Sequence, residues 1–340
     1  MEEIKGYIRS DGRIGLRNNV ICIATVMCAT AVVEGISREV PEIIPVIHTD
    51  GCETRRIRTL YFTKTLENIC RHPNNYAVLL IGLGCERDNA KEIAERLRQE
   101  GIRVWARIIQ EDGGCQKVID EGVAQAKQYL AEAAAEERVP VPPEKLVVGI
   151  ETAEHIKAED ALSGKGCSAG AASAASATAD AVAEWLRTSG VTVILPSVYG
   201  KKSETRAGIP IQAMHYADKV EPDGAYHAID QDGERWKGPK DGVFNMDIPE
   251  SLLSMFASGA QMLVLSTGNS LPLGFPPAPL VKACAEKDAL MEADVFGSAP
   301  EALEKLKECI CSTACGAATY EESHNDVGDL VCTYRRTNIY

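Results

Sequence analysis

The sequence predicts an α/β protein made of two Rossmann-like domains with mostly parallel sheets. Three observations predict it. Over the first 140 residues, short β-branched runs alternate with longer helical patterns, which is the rhythm of βαβ units. A break rich in charge and proline follows at "AAAEERVPVPPEK", and a second alternation starts at "LVVGIE". The 340 residues, 45% of them hydrophobic and only 5% aromatic, suffice for two compact alanine-rich cores.

The elements follow in order. Four strands are expected at 19–26 ("NVICIATV"), 43–47 ("IIPVI"), 77–82 ("AVLLIG") and 103–109 ("RVWARII"), each followed by a helical pattern. The clearest helix is "RDNAKEIAERLRQEG", which Gly101 ends. Three prolines that cannot continue a helix mark a linker near 136–145, so the domains are read as 1–140 and 145–340. The second domain adds strands at 191–196 and 261–266, and helices near 170–188, 277–287 and 299–317. Residues 219–248, rich in Gly, Pro and Asp, read as a long surface excursion.

A net charge of −13 leaves no excess of Lys or Arg to displace counterions from a phosphate backbone, which excludes nucleic acid as the expected partner. No stretch reaches the roughly 18 apolar residues a membrane span needs, and "MEEIKGYIRSDGR" has no apolar leader, so a cytoplasmic protein with a small-molecule partner is expected. In a reducing compartment the twelve cysteines are then buried apolar residues, reactive thiols or metal ligands rather than disulfides.

Four of them, Cys28, Cys52, Cys85 and Cys115, follow the carboxyl ends of the four strands of the first domain. In an open parallel sheet those ends share one edge, where crevices bind ligands. Glycine precedes three of them, in "DGC", "GLGC" and "DGGC", and permits the turn that aims a side chain into a crevice. They read either as a metal or iron–sulfur site or as small residues filling crowded turns. His48, in "VIHTDGCE" with Asp50, Cys52 and Glu53, is a candidate ligand or proton acceptor, against a structural histidine. In "GYIRSDGRIGLRNN", Arg9, Arg13 and Arg17 stand close to Asp11 and Asn18. Their guanidinium forks suit a carboxylate or sulfonate; the plainer reading is a solvated turn with "DG" at its tip. The thiols of "CICSTACG" (Cys309, Cys311, Cys315) lie in a helical pattern and read as filling a buried face. Cys167 lies in the Gly- and Ser-rich "ALSGKGCSAGAASAAS", whose amides suit an anion at a helix start. No G-x-G-x-x-G follows the first strand, which disfavours a nucleotide-binding oxidoreductase.

Taken together, "GYIRSDGRIGLRNN", His48 to Cys52, "IGLGCE" and "STGNSLPLG" (266–274) resemble the altronate and galactarate dehydratase family, which also includes the large subunit of sulfolactate sulfo-lyase. The resemblance is strongest over 5–90. It implies a carbon–oxygen lyase (hydro-lyase) that removes water, or sulfite, from a small anionic hydroxy acid or sugar acid by β-elimination. It also implies a metal, iron as Fe2+ or an iron–sulfur cluster, with Mn2+ as the alternative, and equivalents for Cys28, Cys52 and Cys85 but not Cys115. In that scheme His48 is the base, Arg9, Arg13 and Arg17 hold the acidic group, Asp11 and Asn18 position it, and Gly268 and Asn269 contact substrate. The family's polar sugar-binding loop is replaced here by "KGPKDG" (237–242), and its small preceding domain is expected from a small partner subunit, within a homo-oligomer. The competing reading is a non-catalytic or regulatory binding paralogue.

Overall fold

A computed structural model describes residue 1 and residues 4–48, 56–87, 89–152, 169–196, 216–230, 248–271, 273–287, 291–297 and 300–324. The fold is α/β, and the described residues divide into two compact units, one of residues 6–139 and one formed by the first residues of the chain with those between 140 and 324. Among the described residues no helix is long and apolar enough to cross a membrane.

The unit of residues 6–139 opens with an antiparallel hairpin, β1 (Ile4–Ile8) and β2 (Ile14–Gly15), in which Tyr7 pairs with Gly15 and Ile8 with Ile14. Its turn places Gly12 at φ +81° and closes through Arg9 N–H to Arg13 O at 2.8 Å. The turn with "DG" at its tip therefore forms. Four parallel strands follow: β3 (Asn19–Ala24), β4 (Ile44–Val46), β5 (Asn75–Gly82) and β6 (Val104–Ile108), in the order β4–β3–β5–β6. The intervening helices are α1 (Thr30–Glu39), α2 (Arg56–Arg71) and α3 (Ala90–Gln99), with α4 (Cys115–Ala134) after β6 and a short β7 (Val139–Val141) leading out.

Strand β3 is buried on both faces, which is why it reads as an unbroken apolar run. Val20, Cys22 and Ala24 pack with Val32, Val33 and Ile36 of α1 and with Val118 and Ala126 of α4, while α2 and α3 cover the other face. Helix α3 starts at Asn89, whose side chain accepts from Lys91 N–H (2.9 Å) and Glu92 N–H (3.2 Å). It ends at Gly101 with φ +84°, as expected from the sequence.

In the other unit the sheet order is β11–β10–β9–β8–β12–β13–β14, from β8 (Val147–Thr152), β9 (Thr192–Pro196), β10 (Tyr216–Val220), β11 (Tyr226–Asp230), β12 (Met262–Thr267), β13 (Leu280–Cys284) and β14 (Val295–Phe296). Five of these run parallel, and β10 and β11 are antiparallel. The helices are α5 (Ala169–Thr188), α6 (Ile248–Ala257), α7 (Glu301–Ala314) and α8 (Tyr320–His324). Helix α6 crosses close over β8 at Gly149, where an added Cβ would lie 2.8 Å from Met255 Sδ.

Two expectations are corrected here. The helix expected over 277–287 is strand β13: Leu280–Cys284 is buried throughout and pairs in register with β12, and a fully buried run of that length carries no period that separates strand from helix. The excursion expected over 219–248 begins as the β10–β11 hairpin, with Val220 opposite Tyr226 and the turn set by Gly224 at φ +83°. Residues 231–247, "KGPKDG" included, lie outside the described residues. On α7 the buried face is made by Leu306, Ile310 and Ala314, whereas Cys309 and Cys311 are half-buried and Cys315 is exposed.

Gly15 seats the first hairpin against the loop before β5, since an added Cβ would lie 2.1 Å from Pro73 O and 2.9 Å from Arg9 Nη2. A backbone carbonyl cannot swing aside, so Gly15→Ala is expected to destabilise the unit by about 1–3 kcal/mol or more. Denaturant midpoints of the two proteins measure it, and an unchanged midpoint would show that the hairpin is seated by other contacts.

Candidate active site at the strand ends

The order β4–β3–β5–β6 places the second parallel strand on one side of β3 and the third on the other, so the topological switch falls between β3 and β5. The crevice of such a sheet lies at the carboxyl ends of those two strands. Here those ends are Ala24–Thr25 and Gly82–Leu83.

His48, two residues past β4, is 3% exposed and its Nε2 lies 2.8 Å from Ala24 O. A carbonyl only accepts, so Nε2 carries the proton and the imidazole lone pair sits on Nδ1. Burial pulls the pKa of His48 down to about 4, against a smaller upward pull from the Ala24 carbonyl. The ring is therefore neutral, with a fixed tautomer, at neutral pH.

Across the switch, Glu86 organises the turn after β5. Its Oε1 accepts from Leu83 N–H (3.0 Å) and from the Thr25 hydroxyl (3.2 Å), and its Oε2 accepts from Gly84 N–H (2.7 Å). Gly84 takes φ +123°, and an added Cβ on Gly82 would stand 2.3 Å from Glu86 Oε1. Both glycines are thus required by a carboxylate folded back over the strand end. Glu86 and Thr25 escaped the sequence reading. The signal was a carboxylate four residues after the strand end, inside the "GLGCE" already noted for its cysteine.

The thiols fall on this edge as expected. Cys28 lies in a short 3-10 turn after β3, Cys85 in the turn after β5 and Cys115 at the first position of α4, and all three are exposed. Gly113 and Gly114, at φ +101° and +90°, shape the approach to Cys115. Cys52, Asp50 and Glu53 lie outside the described residues, as does Cys167. Among the described residues no three His, Cys, Asp or Glu side chains gather in a group able to hold a metal ion.

The arginine-rich stretch is elsewhere, at the amino-terminal edge of the same sheet. Arg9 Nε donates to Pro73 O (2.7 Å), Nη1 to Asn18 Oδ1 (2.8 Å) and Nη2 to Arg17 O (3.0 Å), and Nη1 stands 3.4 Å from Glu136 Oε2. Asn18 Nδ2 donates to Ala133 O at 2.7 Å. These bonds tie the hairpin to the sheet. Arg13 and Asp11 pair with each other in the turn (2.6 Å), and Arg17 Nη1 donates to Leu16 O (2.9 Å). Strand β3, at about 3.3 Å per residue, separates this group from His48 by roughly 16–20 Å. Within this unit Asp11, Arg9, Arg13, Arg17 and Asn18 are therefore not brought to His48, as the single-site expectation required. A local sequence pattern does not reveal that the two motifs flank one strand at opposite ends.

Gly268 and Asn269 belong to the other unit, just past β12. Gly268 O accepts from Glu286 N–H (3.0 Å), and Asn269 O accepts from the Thr267 hydroxyl (2.6 Å).

Residues 6–134 match the family described as D-galactarate dehydratase/altronate hydrolase, second domain. The chain is 29% identical over 159 residues to an altronate dehydratase of Bacillus subtilis (strain 168), covering 43% of this chain and 31% of that protein. It is 32% identical over 109 residues to an altronate dehydratase of Escherichia coli (strain K12), covering 28% of this chain and 21% of that protein. The chain thus aligns with less than a third of the length of either relative. The matched segment is nearly the whole unit of residues 6–139 and contains the entire strand-end edge.

The histidine yields a pH test. Its folded pKa, about 4, lies below the unfolded value of about 6.5, so only the unfolded chain takes up the proton between those values. The contribution is fully present above pH 6.5 and is lost as pH falls toward 4, by roughly 3 kcal/mol at most. Urea midpoints of the native chain and of His48→Asn at pH 7, 5.5 and 4.5 should diverge, with the variant the flatter. Parallel profiles would place the His48 pKa near its ordinary value.

Proposed function

We propose, from the premise that residues 6–134 are a second domain of the altronate and galactarate dehydratase family, that this chain is a carbon–oxygen hydro-lyase. Its substrate is a small hydroxy-carboxylate of the sugar-acid class, with sulfite as the alternative leaving group. The observation that carries the reading is that the matched segment builds the strand-end edge with its switch point, the edge on which His48, Cys28, Cys85 and Cys115 each follow a strand.

The chemistry is a β-elimination. The proton α to the carboxylate leaves to a base, the C–H electron pair becomes the C=C bond, and the C–O bond breaks with its electrons on the departing oxygen, which leaves as water once protonated. The enol so formed tautomerises to a 2-keto acid. We assign the α-proton to His48, whose Nε2–H is held by Ala24 O and whose ring is neutral at neutral pH. Ala24 O fixes the ring plane, and Glu86 with Thr25 fixes the facing turn.

The described residues alone do not complete a metal site at this edge. Iron, as Fe2+ or a cluster, or Mn2+, would be held by Cys28, Cys85 and Cys115 only together with Cys52. Protein purified anaerobically is expected to contain iron by elemental analysis, with a broad visible band distinguishing a cluster from a mononuclear site. Metal-free protein from that preparation would remove this part of the proposal.

Turnover is tested with aldarates, aldonates, sulfolactate and short hydroxy acids, followed by keto-acid formation and by exchange of solvent deuterium into the α-position. His48→Asn is expected to lower turnover by about 10² to 10⁴ while preserving the circular dichroism spectrum. Because its pKa lies near 4, His48 should impose no fall in kcat/KM near pH 6.5, and its limb should appear nearer pH 4. No exchange and no product with any acid would leave the binding paralogue in place of the enzyme.

A further inference from the structure

We propose that the cavity between the first hairpin and the amino-terminal ends of β5 and β6 is a binding site for a small hydroxy-carboxylate, separate from the strand-end site. The cavity, of about 220 Å³, lies wholly within the unit of residues 6–139. It is smaller than the roughly 300–1,000 Å³ typical of sites for drug-sized molecules, so its ligand is a small acid.

Its lining reverses the charge of the chain. Arg9, Arg13, Arg71 and Arg103 line it against two carboxylates, Asp11 and Glu136, an excess of 4 − 2 = 2 positive charges in a protein of net charge −13. Two of the arginines form a fixed wall: Arg9 is held by Pro73, Asn18 and Arg17, and Arg71 by Glu100 at 2.5 and 2.8 Å and by Glu67 at 3.0 Å. The other two are accessible. Arg13 is 45% and Arg103 49% exposed at the side chain; Arg103 stacks 4.2 Å over the Tyr76 ring and reaches Glu136 only at 3.8 Å. Planar forks of this kind take a carboxylate through paired hydrogen bonds.

Mutual repulsion gives the anion a further role. Burial, and next among the downward pulls the charge of Arg103, lower the pKa of Arg9 to about 10, and a carboxylate between the two guanidiniums relieves that repulsion. The hydroxyl follows from Asn75, which lines the cavity and is 8% exposed. Its Nδ2 donates to Ile69 O at 2.6 Å, whereas its buried Oδ1 has no donor, and a ligand hydroxyl supplies one. Tyr76, Ile8 and Ile102 offer apolar surface to a short carbon skeleton.

The test is calorimetry on the full chain with L-malate, with succinate and inorganic phosphate as probes lacking the hydroxy-acid pair. L-malate is expected to bind saturably and more tightly than either. Arg13→Gln combined with Arg103→Gln should weaken it roughly tenfold or more, Arg13→Gln alone should weaken it less, and His48→Asn should leave it unchanged. No L-malate binding, equal affinity for succinate or phosphate, or an arginine double variant that folds and binds normally would overturn the assignment. Loss of binding in His48→Asn would instead place the ligand at the strand ends, so failure of this site and failure of the lyase reading are told apart.

Discussion

Burial of β3 on both faces is the constraint on which the unit of residues 6–139 depends. A strand with no solvated face accepts neighbours only through crossover helices that cover both sides, which makes β4, β3, β5 and β6 parallel. Parallel strands put all their carboxyl ends on one edge and all their amino ends on the other. Chemistry-bearing residues that are far apart in sequence, His48, Glu86, Cys28 and Cys115, then share an edge without any local motif linking them.

Desolvation acts at both edges with different consequences. It lowers Arg9 to about 10 and His48 to about 4. The guanidinium starts so far above neutrality that it stays charged, and its buried positive charge is used to bind carbonyls of the hairpin and of the loop before β5. The imidazole starts close to neutrality and crosses it. The same effect therefore leaves a charged guanidinium at the amino edge and a neutral imidazole at the switch point.

The parallel sheet was legible because its strands are continuous apolar runs broken by glycine-bearing turns, and the strand-end positions of Cys28, Cys85 and Cys115 followed from that alone. The position of the arginine group was not, because its decisive bonds join Arg9 to Pro73 and Glu136, 64 and 127 residues away. Glu86 was hidden for the opposite reason: its backbone partners, Leu83 and Gly84, are adjacent, yet a carboxylate that caps a turn looks in sequence like any surface glutamate. Leu280–Cys284 was misread because complete burial erases the period by which strands and helices are told apart.

The role of Glu86 bears on how an elimination at this edge can be driven. The dianion formed when the α-proton leaves needs positive charge or preorganised donors where the new charge appears. Strand-end amides commonly serve that purpose, yet Leu83 N–H and Gly84 N–H already bond Glu86, and the carboxylate brings a negative charge of its own to the turn. An anion approaching them would have to displace Glu86 and meet its repulsion. In the proposed elimination a cation held at the same edge would supply that charge, and exposed thiols at three strand ends are soft donors suited to holding one. The amides of this turn are thus engaged by its own carboxylate, so in the proposed elimination they contribute nothing to the new negative charge.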